Sequence, residues 1–227
     1  MKIKHIFFDL DHTLWDFEKN SDLAFETVFT NNNLSVSVTK FLTYYKSINQ
    51  KYWKLYRDER VTKEQLRFGR LNDTFAKINY KVNKELINKL AIEYIEELPK
   101  NNYLFDGTHE ILEYLQPNYQ MHIITNGFNE VQHEKLLNSG INIYFDQIIT
   151  SEAVGVKKPN PKIFNYALEQ AKAIPSESIM IGDNWEADIM GAKNVGFDVI
   201  FCNFNSNPVG ENIKSINNLF EIKQFLK

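Results

Sequence analysis

The sequence contains a single cysteine, Cys202, among its 227 residues, so it cannot form an intrachain disulfide. It has no uninterrupted apolar stretch near the roughly 18 residues that a membrane-spanning helix requires. Positive charge is not in excess either, since 26 Lys and Arg residues stand against 29 Asp and Glu residues, a formal net charge of −3. These absences predict a cytoplasmic protein and argue against a membrane or a nucleic acid polymer as its partner.

The composition that is present is typical of a folded globular protein. Hydrophobic residues make up 43% of the chain and charged residues 24%, which suffices for one large domain or for a core with a smaller second domain. Because the overall charge is negative, an anionic substrate would have to be neutralised by local basic groups or by a metal ion. Composition leaves open whether the protein is a monomer or a homodimer.

Residues 20–98 show helical patterns and almost no strand signal. Thr62 and Gln65 fit a capping box, and Pro99 follows the last helical pattern. Apolar residues recur at helical spacing in four segments: SDLAFETVF, KFLTYYKSINQKYWKLY, TKEQLRFGRLNDTFAKI and NKELINKLAIEYIEEL. We therefore predict an all-helical domain over residues 17–98.

The rest of the chain alternates between strand and helix. Asn160 and Pro161 are suited to begin one of these helices, as its cap and first-turn residue. Five short apolar segments are typical of buried strands: KIKHIFF, MHIIT, DQIIT, SIMIG and DVIFC. This pattern predicts an α/β core with a Rossmann-like parallel sheet and helices on both faces, formed by residues 1–16 and 99–227.

Polar side chains that can bind ligands follow four of the predicted strands. In open α/β sheets, ligands bind outside the carboxyl ends of the strands, so these side chains are expected to converge. They are Asp9 and Asp11, Thr125 and Asn126, Lys158, and Asp183 with Asp188.

The segments FFDLDHTL, ITNG, KKPNPKIF and IGDNWEAD resemble, in order, the four motifs of the haloacid dehalogenase (HAD) superfamily. The helical insertion resembles the cap domain of subfamily I. The resemblance implies that Asp9 is a nucleophile that forms an aspartyl-phosphate. It also implies a Mg²⁺ ion held by Asp9, Asp183 and the backbone carbonyl of Asp11, and such hard oxygen ligands suit this cation.

The second acid distinguishes phosphoryl transfer from dehalogenation. Asp11 would protonate a leaving alcohol and then take a proton from water, whereas a halide leaving group needs no proton. Thr125 and Asn126 would position the phosphoryl group, and Lys158 would neutralise it. Asp188 would hold Lys158 or a metal-bound water.

Structural readings of the same residues stay open at this point. Asp9 and Asp11 also fit a solvated acidic turn, and Thr125 with Asn126 fit a turn before a glycine. Asp183 and Asp188 also fit a helix cap and a partner of the helix dipole.

The predicted cap domain carries the residues expected to determine specificity. Arg67 and Arg70 lie three positions apart on one predicted helix and can face the same side. A substrate contact and a solvated basic face are both compatible with this spacing. The aromatic residues of the cap fit a hydrophobic core better than a base-stacking surface. The role of Trp15 is open.

The stretch VTKEQLRFGRL, together with the motifs, is most similar to bacterial nucleoside 5′-monophosphate phosphatases of the pyrimidine "house-cleaning" type. We therefore predict a Mg²⁺-dependent phosphatase of small phosphorylated metabolites, with 5′-nucleotidase as the first candidate. A sugar-phosphate or phosphoglycolate phosphatase is the second, and a phosphomutase shares the same motifs. A phospho-acceptor receiver module is disfavoured, since such modules are shorter and lack the insertion.

Overall fold

The computed structural model describes residues 2–204 and 213–227. The chain divides into two compact units, one formed by Met1–Phe17 with Asn102–Lys227 and the other by Glu18–Asn101. We call them the α/β unit and the helical unit.

The helices and strands follow one another in this order along the chain: β1 (His5–Phe8), α1 (Phe17–Asn31), α2 (Val38–Arg57), α3 (Lys63–Lys77), α4 (Lys84–Glu97), α5 (Thr108–Leu115), β2 (Gln120–Thr125), α6 (Asn129–Asn138), β3 (Gln147–Thr150), α7 (Ser151–Val154), α8 (Pro161–Ala171), β4 (Ser178–Gly182), α9 (Gly191–Asn194), β5 (Asp198–Cys202) and β6 (Lys214–Ile216). Short 3₁₀ segments occupy Leu98–Lys100, Asn142–Tyr144, Pro175–Glu177 and Leu219–Gln224, and a π-helical turn, Trp185–Met190, precedes α9. Among the described residues, no helix combines the length and the low polarity needed to cross a membrane.

The α/β unit is built on one six-stranded sheet with the order β3-β2-β1-β4-β5-β6, in which every neighbouring pair is parallel. This confirms the predicted α/β fold. Phe8, at the end of β1, is level with Ile123 of β2 and Ile181 of β4. The segments that follow these three strands therefore meet at the same edge of the sheet. The strand β6 was not predicted from the sequence, because this three-residue strand (KSI) lacks the apolar run that marks the others.

The central strands are buried because both of their faces carry apolar side chains. Phe7 packs into a cluster on one face that includes Phe164 of α8 and Met180 of β4. The helix α8 begins as predicted, with the Asn160 side chain accepting a hydrogen bond from the Lys162 backbone and Pro161 in the first turn. Burial of each such large apolar side chain contributes about 1.5–3 kcal/mol. The packing holds the carboxyl end of β1 in a rigid setting.

The helical unit has an aromatic core. Thr62 and Gln65 form the predicted capping box at the start of α3, and Phe25 stacks on Tyr94 with ring centroids 4.2 Å apart. Further rings of this cluster belong to Phe29, Phe41, Tyr45 and Phe75. Within this unit, these aromatic side chains therefore serve as packing.

A pair of buried histidines links β1 to β2 inside the α/β unit. His5 Nδ1 lies 3.2 Å from His122 Nε2, and the two rings are stacked. Burial lowers the pKa of His122 from 6.5 to about 4, and the neighbouring His5 adds to the shift. The folded protein therefore resists protonation of this pair.

We expect this pair to make stability depend on pH. The folded-state pKa of His122 lies below the unfolded value, so its contribution is present above pH 6.5 and is lost as the pH falls toward 4. Urea unfolding at about pH 7.5 and about pH 5 should show a loss of about 2 kcal/mol from this group. A His122→Leu variant should lose less stability than wild type over the same interval, and an equal loss in both proteins would contradict the assignment.

Candidate active site

Lys158 lies at the carboxyl edge of the sheet, buried between two carboxylates. Its Nζ donates to Asp9 Oδ1 at 2.6 Å and to the Ile124 carbonyl at 2.6 Å, and it forms an ion pair with Asp188 Oδ1 at 2.7 Å. The Lys158 side chain is only 2% exposed. Burial lowers the pKa of Lys158, but the charges of Asp188 and Asp9 outweigh it, and the net shift is upward. Lys158 is therefore a fixed cation.

Asp183 forms a cluster of three carboxylates with Asp9 and Asp188. Asp9, Asp183 and Asp188 each offer an oxygen atom, and these atoms all lie within 4.8 Å of one another. Burial raises the pKa of Asp9 to about 7, Lys158 opposes the shift, and the charge of Asp188 adds to it. Burial also raises the pKa of Asp183 well above its usual range, with contributions from Asp9 and Asp188. Ionisation of all three carboxyl groups would therefore leave more negative charge than Lys158 balances.

The π-helical turn after β4 sets the direction of Asp188. The Asn184 side chain caps this turn by accepting a hydrogen bond from the Ala187 backbone, and the Asn184 backbone N–H donates to Asp188 Oδ2 at 2.9 Å. A Cβ atom at Gly182 would lie only 2.4 Å from that same oxygen. Glycine at the end of β4 is therefore required for the Asp188 carboxylate to reach Lys158. π-Turns of this kind are frequent at functional sites.

Thr125 is the last residue of β2 and Asn126 follows it, so both lie at the same edge. The Asn126 side chain clamps the backbone of Lys158, since its Oδ1 accepts from the Lys158 N–H at 2.8 Å and its Nδ2 donates to the Lys158 carbonyl at 3.0 Å. Thr125 Oγ1 accepts from the Gly127 backbone N–H at 3.0 Å. Both polar atoms of the Asn126 side chain therefore bind the backbone of Lys158. The Asn126 group predicted to face a phosphoryl oxygen is its backbone N–H.

The Asp11 carboxylate has two partners that its sequence motif does not predict. Lys135 Nζ donates to Asp11 Oδ1 at 2.5 Å, and Gln132 Nε2 donates to Asp11 Oδ2 at 2.9 Å. Both partners belong to α6 and are buried. The sequence gives only a weak indication of these contacts. Gln132 and Lys135 are polar residues on the buried face of α6, which also carries Val131 and Leu136.

Arg70 lies in the interior of the helical unit. It is 2% exposed, it donates from Nη1 to Asn49 Oδ1 at 3.0 Å, and its guanidinium lies 4.9 Å from the centroid of the Tyr94 ring. These contacts give Arg70 a packing role within its own unit and do not fit the solvated basic face. Arg67 is partly buried on the same helix. Substrate recognition by Arg67 and Arg70 stays a prediction.

The chain is similar to known proteins over most or all of its length. Pyrimidine 5′-nucleotidase YjjG of Escherichia coli is 34% identical, and the match covers 100% of this chain and 99% of that protein. Glyceraldehyde 3-phosphate phosphatase of Methanothermobacter thermautotrophicus is 29% identical, over 88% of this chain and 86% of that protein. The structure of the putative HAD-hydrolase YfnB from Bacillus subtilis, bound to magnesium, superposes with a TM-score of 0.90 at 27% identity, covering 100% of this chain and 99% of that one.

The family match includes the segments that contain the residues of the site. The family described as haloacid dehalogenase-like hydrolase matches residues 6–202. This range begins before Asp9 and ends after Asp188, so it includes all four motifs. The chain therefore belongs to the haloacid dehalogenase-like hydrolase family and is an enzyme of the hydrolase class.

Proposed function

We propose that this protein is a Mg²⁺-dependent phosphatase that hydrolyses small phosphate monoesters through an aspartyl-phosphate on Asp9. Nucleoside 5′-monophosphates are the proposed substrates. The proposal rests on one observation: Asp9 and Asp11, two residues apart, bind different polar partners. Asp9 is bound by the buried cation Lys158, while Asp11 is bound by Gln132 and Lys135. The family resemblance implies that Asp9 is the nucleophile and Asp11 the proton donor, and the separate partners of the two carboxyl groups support two separate roles.

The donor set fits a magnesium ion. Three carboxylates contribute oxygen atoms within 4.8 Å of one another, and Mg²⁺ prefers oxygen ligands of this kind. Burial is the main cause of the upward pKa shifts of Asp9 and Asp183, and the neighbouring carboxylates add to both, so a bound cation would favour the ionised forms. Asp9 and Asp183 would hold the ion, with the backbone carbonyl of Asp11 as the family resemblance implies. When bound, it would neutralise negative charge on the nucleophile and on the phosphoryl group.

The side chains divide the reaction into two displacements. In the first, the Asp9 carboxylate attacks phosphorus, the ester P–O bond breaks, and the leaving oxygen takes the proton of Asp11. In the second, a water molecule gives a proton to Asp11 and attacks the aspartyl-phosphate, so that the P–O bond to Asp9 breaks and phosphate leaves. Because the oxygen of Thr125 accepts hydrogen bonds from Gly127 and Gln132, its own proton is available to a phosphoryl oxygen. Lys158 neutralises the same group.

The choice of nucleotides rests on the relatives. The E. coli relative is named a pyrimidine 5′-nucleotidase and aligns over the full chain. A sugar-phosphate phosphatase is the second candidate, because the archaeal relative is named a glyceraldehyde 3-phosphate phosphatase. Both substrate classes are phosphate monoesters of alkyl alcohols, so the same chemistry at Asp9 and Asp11 serves either.

A phosphate-release panel tests the proposal. Purified protein with Mg²⁺ is offered nucleoside 5′-monophosphates, sugar phosphates, glyceraldehyde 3-phosphate and phosphoglycolate. We expect a pyrimidine nucleoside monophosphate to give the highest kcat/KM, and we expect a chelator to remove at least about 95% of the activity because the acidic cluster would lose its counter-charge.

Other outcomes of the panel are equally informative. If sugar phosphates gave a higher kcat/KM than every nucleotide, the nucleotide assignment would be wrong and the phosphatase assignment would stand. Relocation of phosphate on a sugar without release would identify a phosphomutase. Full activity in chelator would contradict the role of the metal.

A further inference from the structure

The Asp11 carboxyl group is held at both of its oxygen atoms. Lys135 Nζ binds Oδ1 at 2.5 Å and Gln132 Nε2 binds Oδ2 at 2.9 Å. The two donors lie three positions apart on α6, so both extend from the same face of that helix. With one donor on each oxygen, the plane of the carboxyl group is fixed, and each oxygen keeps a second acceptor site for a transferred proton.

Lys135 is a buried cation whose surroundings direct it to Asp11. Its side chain is 2% exposed, and its Nζ lies 4.1 Å from the ring centroid of Trp15 and 5.2 Å from that of Phe17. Burying an ammonium group is costly unless a counter-charge and other favourable contacts compensate. The Asp11 carboxylate supplies that charge, and the two aromatic faces supply cation–π attraction. Trp15 and Phe17 thus form one wall of the Lys135 site.

Gln132 connects Asp11 to the predicted phosphate-binding residue Thr125. Its Nε2 donates to Thr125 Oγ1 at 2.6 Å as well as to Asp11. Gln132 is fully buried. A Cβ atom at Gly127 would lie 1.9 Å from Gln132 Nε2. Glycine in the turn after β2 therefore leaves the space that the Gln132 amide occupies. The side chain is therefore confined to a position that serves both neighbours.

We propose that Gln132 and Lys135 are positioning residues that hold the Asp11 carboxyl group beside the leaving oxygen, and that Lys135 balances the negative charge that Asp11 acquires when its proton passes to that oxygen. This inference rests on the proposed phosphatase function. A group held at two points keeps one orientation while the ester bond breaks. Loss of either hold allows the carboxyl group to rotate away, and misplacement by about 1 Å can cost a hundredfold in rate.

The leaving group provides the test. A nucleoside 5′-alkoxide is a poor leaving group and needs the proton from Asp11, whereas p-nitrophenolate leaves without one. Lys135→Met should lower kcat/KM about thirtyfold or more for the best nucleoside monophosphate and less than about threefold for p-nitrophenyl phosphate. Because kcat/KM reports steps up to the first irreversible one, the comparison isolates cleavage of the ester bond when that step is irreversible.

Three further variants sharpen the experiment. Lys135→Arg retains the cation and should recover most of the activity on the nucleotide. Lys193→Met, at an exposed lysine of the same unit, should match wild type on both substrates. In an Asp11→Asn background, Lys135→Met should add little further loss, because two residues that act through one proton transfer are not additive.

The results separate the inference from the function on which it rests. An equal loss on both substrates, no loss at all, or full additivity with Asp11→Asn would overturn the positioning role. If Lys135→Met does not fold, Gln132→Met is judged by the same leaving-group criterion. If wild type cleaves neither substrate, the proposed phosphatase function fails first.

Discussion

Asp9→Asn should abolish turnover, with a fall in phosphate release of about a thousandfold or more. An amide cannot attack phosphorus to form the aspartyl-phosphate, although it has nearly the shape of the carboxylate. Lys158 keeps Asp188 as its counter-charge at 2.7 Å, so the variant should remain folded. Steady-state phosphate release on the best substrate measures the effect, and urea unfolding checks the fold.

The nucleophile assignment can also be checked by direct chemistry. Wild-type protein quenched with acid during turnover should carry a phosphoryl group on the peptide that contains Asp9, and Asp9→Asn should carry none. Asp146→Asn, at an exposed aspartate of the same unit, serves as the matched control and should retain activity. A folded Asp9→Asn variant with more than a few per cent of wild-type activity would show that another group is the nucleophile.

Lys158→Met should reduce both activity and stability. Breaking a buried ion pair by removing one partner costs about 3–5 kcal/mol, and here it leaves Asp9 and Asp188 facing each other without the cation between them. The loss of the positive charge should also lower kcat/KM by about a hundredfold or more, since Lys158 would neutralise the phosphoryl group. Urea unfolding and the phosphate-release assay measure the two effects separately.

The loss of stability in Lys158→Met should depend on pH. Asp9 has a folded-state pKa raised to about 7, so carboxylates of this cluster take up protons as the pH falls and their repulsion decreases. The stability difference between wild type and Lys158→Met should therefore be larger at about pH 7.5 than at about pH 5. The histidine pair is the same in both proteins, so its contribution cancels in the difference.

Lys157 offers a matched control at the neighbouring position. Lys157→Met removes the same charge one residue earlier and should change stability by less than about 1 kcal/mol, as is usual for partly exposed charges. Added Mg²⁺ should restore part of the stability of Lys158→Met, because a ligand that binds only the folded state stabilises it by mass action. A stability loss in Lys158→Met that does not change with pH, or an equal loss in Lys157→Met, would contradict the role of Lys158 as the cation of the carboxylate cluster.

Much of the fold was predictable because its signals are local. Short apolar runs bounded by polar residues marked β1 to β5, and a cap followed by proline marked the start of α8. The segment after β4 was less predictable. Its sequence suggests an ordinary helix near residue 186, whereas the structure has a π-helical turn over Trp185–Met190. The turn accompanies the contact between Asp188 and the Asn184 backbone, which periodicity does not reveal.

The sequence by itself determined the order of the motifs and their positions after the strands, and with them the residues proposed as nucleophile, second acid and cation. Only the tertiary structure decided that Lys135 and Gln132 contact Asp11 and that Arg70 lies in the interior of the helical unit. The physical reason is distance along the chain. Asp11 and Lys135 are 124 residues apart. Their contact depends on the strand order and on the rotation of α6 about its axis, and both are set by packing of the whole unit.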